Sequence, residues 1–397
     1  MLTLDKIYHA AFILKEVARK TDLIHATNIP CEADLYLKTE NLQVTGSFKL
    51  RGAYYKISQL SEEQKSAGII ACSAGNHAQG VALAATRQGV KSVVCMPASA
   101  PISKVESTKK LGAEVVLTPG AYDDAYMKAI ELQKETGATL IHPFDDDLVI
   151  AGQGTIGLEI LDEMPNVDAI IVPIGGGGLI SGLAFAVKQL NPKIKVYGVQ
   201  AENAPSMYES RKQGEQITLK TVSTFADGIA VKHPGDTTFK MVQEYVDDIV
   251  TVSEDEIAAA ILTMIEKQKL VSEGAGAVAV AAAMFGKLPI QGKKVVCLVS
   301  GGNIDVNILS RVITRGLVTS GRMATFLVAL DDKPGQLVRV CDTISACGAN
   351  ITSVRHERSD PNMAIASCYV RISVETRNFE HIEEIKKAVA DAGYQVT

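Results

Sequence analysis

The chain has 397 residues, 47% hydrophobic and 21% charged, with a formal net charge of −5. That is enough for two or three domains with a substantial core, and too acidic for nucleic acid or an anionic membrane to be its main partner. The seven cysteines (Cys31, Cys72, Cys95, Cys297, Cys341, Cys347, Cys368) are scattered with no CxxC pair, so no disulfide framework and no metal site is expected, and a reducing, cytoplasmic compartment is.

In chain order, Met1–Asp22 interleaves charges (Asp5, Lys6, Lys15, Glu16, Arg19, Lys20) with apolar residues. This is the pattern of an amphipathic helix and not of a signal peptide, and no later run of about 18 apolar residues predicts a membrane span. The stretch Thr45-Gly46-Ser47-Phe48-Lys49-Leu50-Arg51-Gly52-Ala53 then sets one lysine, with an aromatic neighbour, among small residues. A Schiff-base lysine must lose its proton from an ordinary pKa of about 10.4. Desolvation beside Phe48 and a second cation, Arg51, both push that way.

From about residue 69 to residue 310, short β-branched runs alternate with periodic, alanine-rich stretches. Strands are predicted at Ile69–Ser73, Ser92–Met96, Glu114–Leu117, Thr139–His142, Ala169–Ile174, Lys195–Gln200 and Lys294–Val299, and helices at His77–Gln88, Leu179–Leu190 and Glu254–Gln268. Continuous apolar strands separated by helices predict an α/β fold with parallel sheets covered on both faces. After a helix-then-turn stretch at Ser310–Arg322, the texture changes to strand Met323–Leu330, helix Gln336–Cys347, strands Asn350–Glu357 and Ala364–Val374, helix Phe379–Ala392 and strand Tyr394–Val396. That is βαββαβ, a small separate domain.

Three further segments carry chemistry beside Lys49. Ser73-Ala74-Gly75-Asn76-His77-Ala78-Gln79-Gly80 opens a helix whose free N–H groups suit a carboxylate or phosphate, although Ser73 and Asn76 are also ordinary caps and His77 reads as a structural hydrogen-bonder. Gly175-Gly176-Gly177-Gly178-Leu179-Ile180-Ser181-Gly182 follows a strand and lets N–H groups approach an anion closely. Glu202, after the next strand, keeps a nicotinamide enzyme open, while the lack of a following Gly-Lys-Ser/Thr counts against a P-loop. Val299-Ser300-Gly301-Gly302-Asn303 ends a buried strand, its hydroxyl a neutral partner for a ring nitrogen or part of a capping turn.

A lysine, a phosphate cradle, a polar group for a ring oxygen and a neutral partner for a ring nitrogen are together what pyridoxal phosphate requires. With Lys38-Thr39-Glu40-Asn41-Leu42-Gln43 leading into Gly46-Ser47-Phe48-Lys49, the chain from about residue 5 to residue 320 resembles the fold-type II pyridoxal-phosphate enzymes, and among them the threonine/serine ammonia-lyases (threonine dehydratases). The resemblance implies a catalytic domain over 1–320, with a smaller subdomain of roughly 45–150 inserted in a larger one. It implies that Lys49 carries the cofactor as a Schiff base and acts as the base at Cα, with Phe48 beside it. Asn76 would contact the ring oxygen, Gly175, Gly176, Gly177, Gly178 and Leu179 would hold the phosphate, and Ser300 would face the ring nitrogen. Ser73, Ala74, Gly75, Asn76 and His77 would clamp the substrate carboxylate. Gln153, in Ala151-Gly152-Gln153-Gly154-Thr155, would assist, unless it is an ordinary loop residue. The expected reaction converts L-threonine to 2-oxobutanoate and ammonia, and L-serine to pyruvate. Related serine racemases have a second serine where this chain has Ala74, and a carboxylate where it has Tyr208. Dehydratase is therefore expected over racemase, without a divalent site of the racemase design.

Residues 323–397, with Asp331-Asp332-Lys333-Pro334-Gly335-Gln336-Leu337, resemble an ACT regulatory domain. A single copy implies pairing between subunits, as a dimer or tetramer, and allosteric control. The candidate effectors are isoleucine or valine, as in isoleucine biosynthesis, and AMP or ADP, as in threonine catabolism. A ferredoxin-like domain that only dimerises is the alternative. Two rivals from other classes are a nicotinamide-dependent oxidoreductase, which leaves Lys49 and Ser300 unexplained, and a non-catalytic amino-acid sensor, which the intact Lys49, Asn76 and Ser300 count against.

Overall fold

The computed structural model describes residues 1–358 and 365–397, and they divide into two compact units, Met1–Asp305 and Val306–Thr397. In the first unit the strands are β1 (Leu23–His25), β2 (Asp34–Lys38), β3 (Ile69–Cys72), β4 (Ser92–Pro97), β5 (Glu114–Thr118), β6 (Thr139–Leu140), β7 (Ala169–Pro173), β8 (Lys195–Ala201), β9 (Asp248–Val252) and β10 (Lys294–Leu298). They form a six-stranded sheet, β1-β2-β10-β7-β8-β9, and a four-stranded sheet, β5-β4-β3-β6. All pairs are parallel except β1 with β2. The α/β class and the seven expected strands hold. Three strands lacked a readable signal. β1 is three residues long, β9 follows Asp247 at a sheet edge, and β2 is bracketed by Asp34 and Lys38. Lys38 is buried nonetheless, because its ammonium meets Glu159 at 2.8 Å. β6 is shorter than the expected Thr139–His142: Ile141 still donates to Ile70 (2.9 Å), but His142 turns to accept the N–H groups of Phe144 and Asp145.

The helix Asp147–Glu163 lies against two others at almost backbone contact. A Cβ on Gly152 would sit 2.6 Å from Arg51 O and Gly52 Cα, and one on Gly182 would sit 2.1 Å from Ile150 O. Helix Lys49–Ser58 therefore packs on one part of this helix and helix Gly178–Leu190 on another. A third close approach, where a Cβ on Gly80 would sit 3.0 Å from the Lys49 carbonyl carbon, sets helix Asn76–Arg87 beside the Lys49 turn.

Behind Lys49 lies a buried ion network. Arg51, 1% exposed, donates to Glu40 (2.8 and 2.9 Å) and Glu159 (2.6 and 2.9 Å), and Thr21 donates to Glu40 at 2.6 Å. Burial alone would raise the Glu40 carboxyl, yet the adjacent guanidinium holds it below its ordinary value.

In the second unit, helix Val306–Thr319 precedes β11 (Met323–Asp331), β12 (Asn350–Glu357), β13 (Ser367–Glu375) and β14 (Gln395–Val396), in the antiparallel order β12-β13-β11-β14. This is the βαββαβ order expected of an ACT-like fold; the expected strand start at Ala364 lies outside the described residues. Helices Gln336–Ala346 and Phe379–Asp391 cover one face, where Val340, Ile344, Ile385 and Val389 join a core with Phe326, Val328, Leu330, Cys368, Val370, Ile372 and Val374. The inward residues follow the two-residue period of the strands. The helix 306–319, which the sequence reading kept with the catalytic segment, groups with this second unit.

Replacing Arg51 by Met would leave Glu40, fully buried, without its counter-ion. A destabilisation of about 3–5 kcal/mol is expected, read as a lowered urea midpoint; an unchanged midpoint would show that the network contributes nothing.

Candidate active site

Lys49 begins its helix directly after Phe48. Its Nζ donates to Pro143 O at 2.8 Å and lies 5.2 Å from the centroid of the Phe48 ring. Burial pulls its pKa down to about 8, against the upward pull of the Glu273 carboxylate. Arg51, expected to contribute to this fall, does not. Its charge is turned away and neutralised by Glu40 and Glu159.

The turn carrying Lys49 is clamped to the Ser300 segment. Ser47 and Gly301 form an antiparallel bridge, Phe48 N–H donates to Ser300 O at 3.2 Å, and Gly302 N–H donates to Gly46 O at 2.9 Å. Asn303 Nδ2 donates to Thr45 O and to Asn76 Oδ1, both at 2.8 Å. Asn76 Nδ2 in turn donates to Glu273 Oε1 at 2.6 Å. Asn76, Glu273, Asn303 and Ser300 are thus drawn around Lys49. The Ser300 hydroxyl is buried, 3.4 Å from Ala275 O, while the Ser47 hydroxyl is buried without a partner.

Burial, then the charge of Asp227, raises the Glu273 carboxyl to about 7, opposed by the Asn76 hydrogen bond and by Lys104 and Lys49. The chain reaches this residue from helix Glu254–Thr263 through a π-helical turn, Met264–Gln268, and Lys269 at φ 59°.

The four glycines are joined to the same place through the segment after β6. A Cβ on Gly176 would fall 2.3 Å from the Phe144 ring, and one on Gly178 would fall 2.7 Å from Phe144 O. Gly177 has φ +98° and caps helix Gly178–Leu190, whose first-turn N–H groups have no partner within the helix. Asp145 accepts from the N–H groups of Asp236, Thr237 and Thr238 at 3.0 Å each, and Thr238 Oγ1 donates to Gly176 O at 2.6 Å. A Cβ on Gly175 would fall 3.1 Å from Ile229 Cα. A glycine turn that opens a helix, with first-turn N–H groups lacking partners within the helix, fits a phosphate.

Ser73, Ala74, Gly75 and Asn76 are half-buried, and a Cβ on Gly75 would meet nothing within 4 Å, so this loop borders open space. The His77 ring instead points inward and donates Nε2–H to Ile141 O at 2.9 Å. Burial, and then the Lys49 charge, depress its pKa to about 3, which keeps it neutral. Gln153 sits in a helix and not in a loop. It is 1% exposed, its Nε2 is 2.4 Å from where a Gly52 Cβ would stand, and its Oε1 lacks a partner. Glu273, Asn303, Phe144 and Asp145 were not foreseen. The one sequence signal was for Glu273, a lone acid heading the otherwise uncharged run Gly274–Met284.

Residues 14–301 match the family model described as pyridoxal-phosphate dependent enzyme. The chain is 49% identical to an L-threonine ammonia-lyase of Thermotoga maritima over 100% of this chain and 99% of the relative. Among solved structures it resembles the processed form of threonine deaminase isoform 2 from Solanum lycopersicum, with TM-score 0.74 and 39% identity over 78% of this chain and 93% of that one. It also resembles maize serine racemase, with TM-score 0.75 and 36% identity over 80% and 98%.

With its pKa lowered to about 8, Lys49 is protonated and unreactive well below that pH and free above it. In ligand-free protein, its acylation by acetic anhydride should rise about tenfold per pH unit and level off near pH 8, whereas surface lysines keep gaining to about pH 10.4. In Glu273→Gln the plateau should come at lower pH, since the stabilising charge is gone. Peptide mapping reads both; a Lys49 profile like that of surface lysines would refute the desolvated site.

Proposed function

Since the chain belongs to the pyridoxal-phosphate-dependent enzymes and, among them, to the threonine ammonia-lyases, we propose that it converts L-threonine to 2-oxobutanoate and ammonia, and L-serine to pyruvate, at the site around Lys49. The observation that carries this is the desolvated Lys49 amine, enclosed by the Ser300 turn, the Asn76–Glu273 pair and the segment that covers the glycine cradle. When bound, pyridoxal phosphate supplies the sink for the electron pair left at Cα.

The chain's own residues account for the rest. Lys49 anchors the cofactor and, as a free amine, removes the Cα proton; a pKa near 8 keeps a usable fraction unprotonated at neutral pH. The backbone N–H groups of Gly175 to Leu179 would hold the phosphate, and Asn76, fixed between Glu273 and Asn303, would meet the ring oxygen. The buried Ser300 hydroxyl would serve the ring nitrogen without adding a charge. Ser73 to His77 bind the substrate carboxylate through backbone N–H groups at the helix start, with the His77 ring serving as a brace. Gln153 supports the Lys49 helix from behind, through Gly52. The β-hydroxyl leaves as water, and the released enamine takes water back and loses ammonia. Ala74 offers no proton on the face opposite Lys49, which favours elimination over racemisation despite the likeness to a serine racemase.

The C-terminal βαββαβ unit is proposed as an ACT domain that pairs subunits, in a dimer or tetramer, and takes isoleucine, valine, AMP or ADP as effector. The proposed setting is cytoplasmic amino-acid metabolism, in isoleucine synthesis or threonine breakdown. Among the described residues no helix is long and apolar enough to cross a membrane.

In Lys49→Ala, threonine turnover should fall by at least about 10²–10⁴-fold, measured as keto-acid release; normal turnover sinks the assignment. Ala74→Ser should gain D-serine formation from L-serine, detected by chiral chromatography, and no gain would remove Ala74 as the determinant. Titrating the four effectors against threonine turnover tests regulation: a change in half-saturation or rate with one of them is expected, and indifference to all four rejects it.

A further inference from the structure

Cysteine spacing gave no reason to expect a metal, yet the sheet register of the second unit assembles a set of donors. Cys368 pairs with Leu330 across β13 and β11, and both side chains face the covering helices. Asp332 lies two residues beyond Leu330, hence on the same face, and His356 pairs with Val370, also inward-facing. Past Leu330 the face opens to solvent: Asp332 and His356 are exposed, and Cys368 is 1% exposed. One ligand atom from each of the three lies within 4.8 Å of the others.

We propose that Asp332, His356 and Cys368 form a binding site for a borderline transition-metal ion, Zn²⁺ foremost, separate from the Lys49 site. A carboxylate oxygen, an imidazole nitrogen and a thiolate form the mixed set that suits zinc and disfavours Mg²⁺ or Ca²⁺, which take oxygen ligands. Ligand atoms around tetrahedral zinc stand about 3–4 Å apart, so side-chain rotations of roughly 1 Å close the site. Arg358 already grips Asp332 with a two-point contact, Nε to Oδ2 at 2.9 Å and Nη2 to Oδ1 at 3.0 Å. Each carboxylate oxygen has a second lone pair, so Arg358 remains as the outer partner that orients the ligand. Zn²⁺ displaces the Cys368 proton and faces two anionic ligands and one neutral one, with one position left for water or an external ligand.

The test uses full-length holoenzyme stripped of metal by a chelator, then titrated with Zn²⁺ against a chromophoric competitor and separately with Co²⁺. One zinc per chain is expected, with a thiolate-to-cobalt charge-transfer band. His356→Ala, at an exposed position where folding is not at stake, should weaken zinc at least about 100-fold, beyond the 10–100-fold lost with an outer partner. Cys368→Ser should abolish the cobalt band. Absence of stoichiometric zinc, equal affinity in His356→Ala and the parent, or a cobalt spectrum without a thiolate band each overturns the proposal.

Discussion

Three helices of the first unit make their closest approach where Cβ atoms are missing. Gly152 on helix Asp147–Glu163 admits the backbone of Arg51 and Gly52, and Gly182 admits that of Ile150, in each case closer than any side chain allows. The consequence reaches the site directly, because the two helices seated this way start at Lys49 and at Gly178. Packing in the interior thereby sets the positions of the two helix starts that the proposed function assigns to one cofactor. Protein interiors are too dense to yield by even a methyl group without strain. The glycines of Ala151-Gly152-Gln153-Gly154 thus act through helix packing, and the buried Gln153 between them is part of that contact.

Electrostatics around Lys49 divides into two compartments with opposite effects. Behind the helix, Arg51 is saturated by Glu40 and Glu159, and Lys38 by Glu159, so three buried charges and the half-buried Glu159 balance locally and send little field forward. In front, desolvation outweighs the attraction of Glu273 and leaves Lys49 with a pKa near 8. Glu273 is itself raised to about 7 by burial and by Asp227, and Asn76 holds it by a hydrogen bond. Near neutral pH Glu273 is close to its midpoint, while Lys49 keeps its proton with only a minor fraction free. A modest change in local charge is then enough to redistribute a proton between them, whereas the Arg51 compartment is fixed.

Legibility followed the range of the interactions. Strands β3, β4, β7, β8 and β10 were readable because uninterrupted apolar runs are buried on both faces; β2 was hidden because its terminal lysine is buried against a carboxylate far along the chain. Lys49, Ser300 and the glycine turn were visible as local motifs. The roles of Glu273 and Asn303 were not, for their bonds to Asn76 span 197 and 227 residues and join a helix start after β3 of the four-stranded sheet to segments flanking β10 of the six-stranded one. Arg51 shows the converse error. Adjacency in sequence suggested that it would act on Lys49, but two residues along a helix turn a side chain to another face.

The same distinction separates the two units. In the first, ligand groups come from strand ends and helix starts, and the sequence marks these with glycine and serine because the backbone there needs special angles or free N–H groups. In the second, Asp332, His356 and Cys368 belong to or adjoin three strands and share a face through register alone. A strand imposes only a period of two, and no turn residue announces which partner stands opposite. Donor sets built across a sheet are therefore silent in the sequence even when every strand is read correctly, as β11 and β12 were here. Sites built on turns are audible in advance, and sites built on register have to be looked for in the fold.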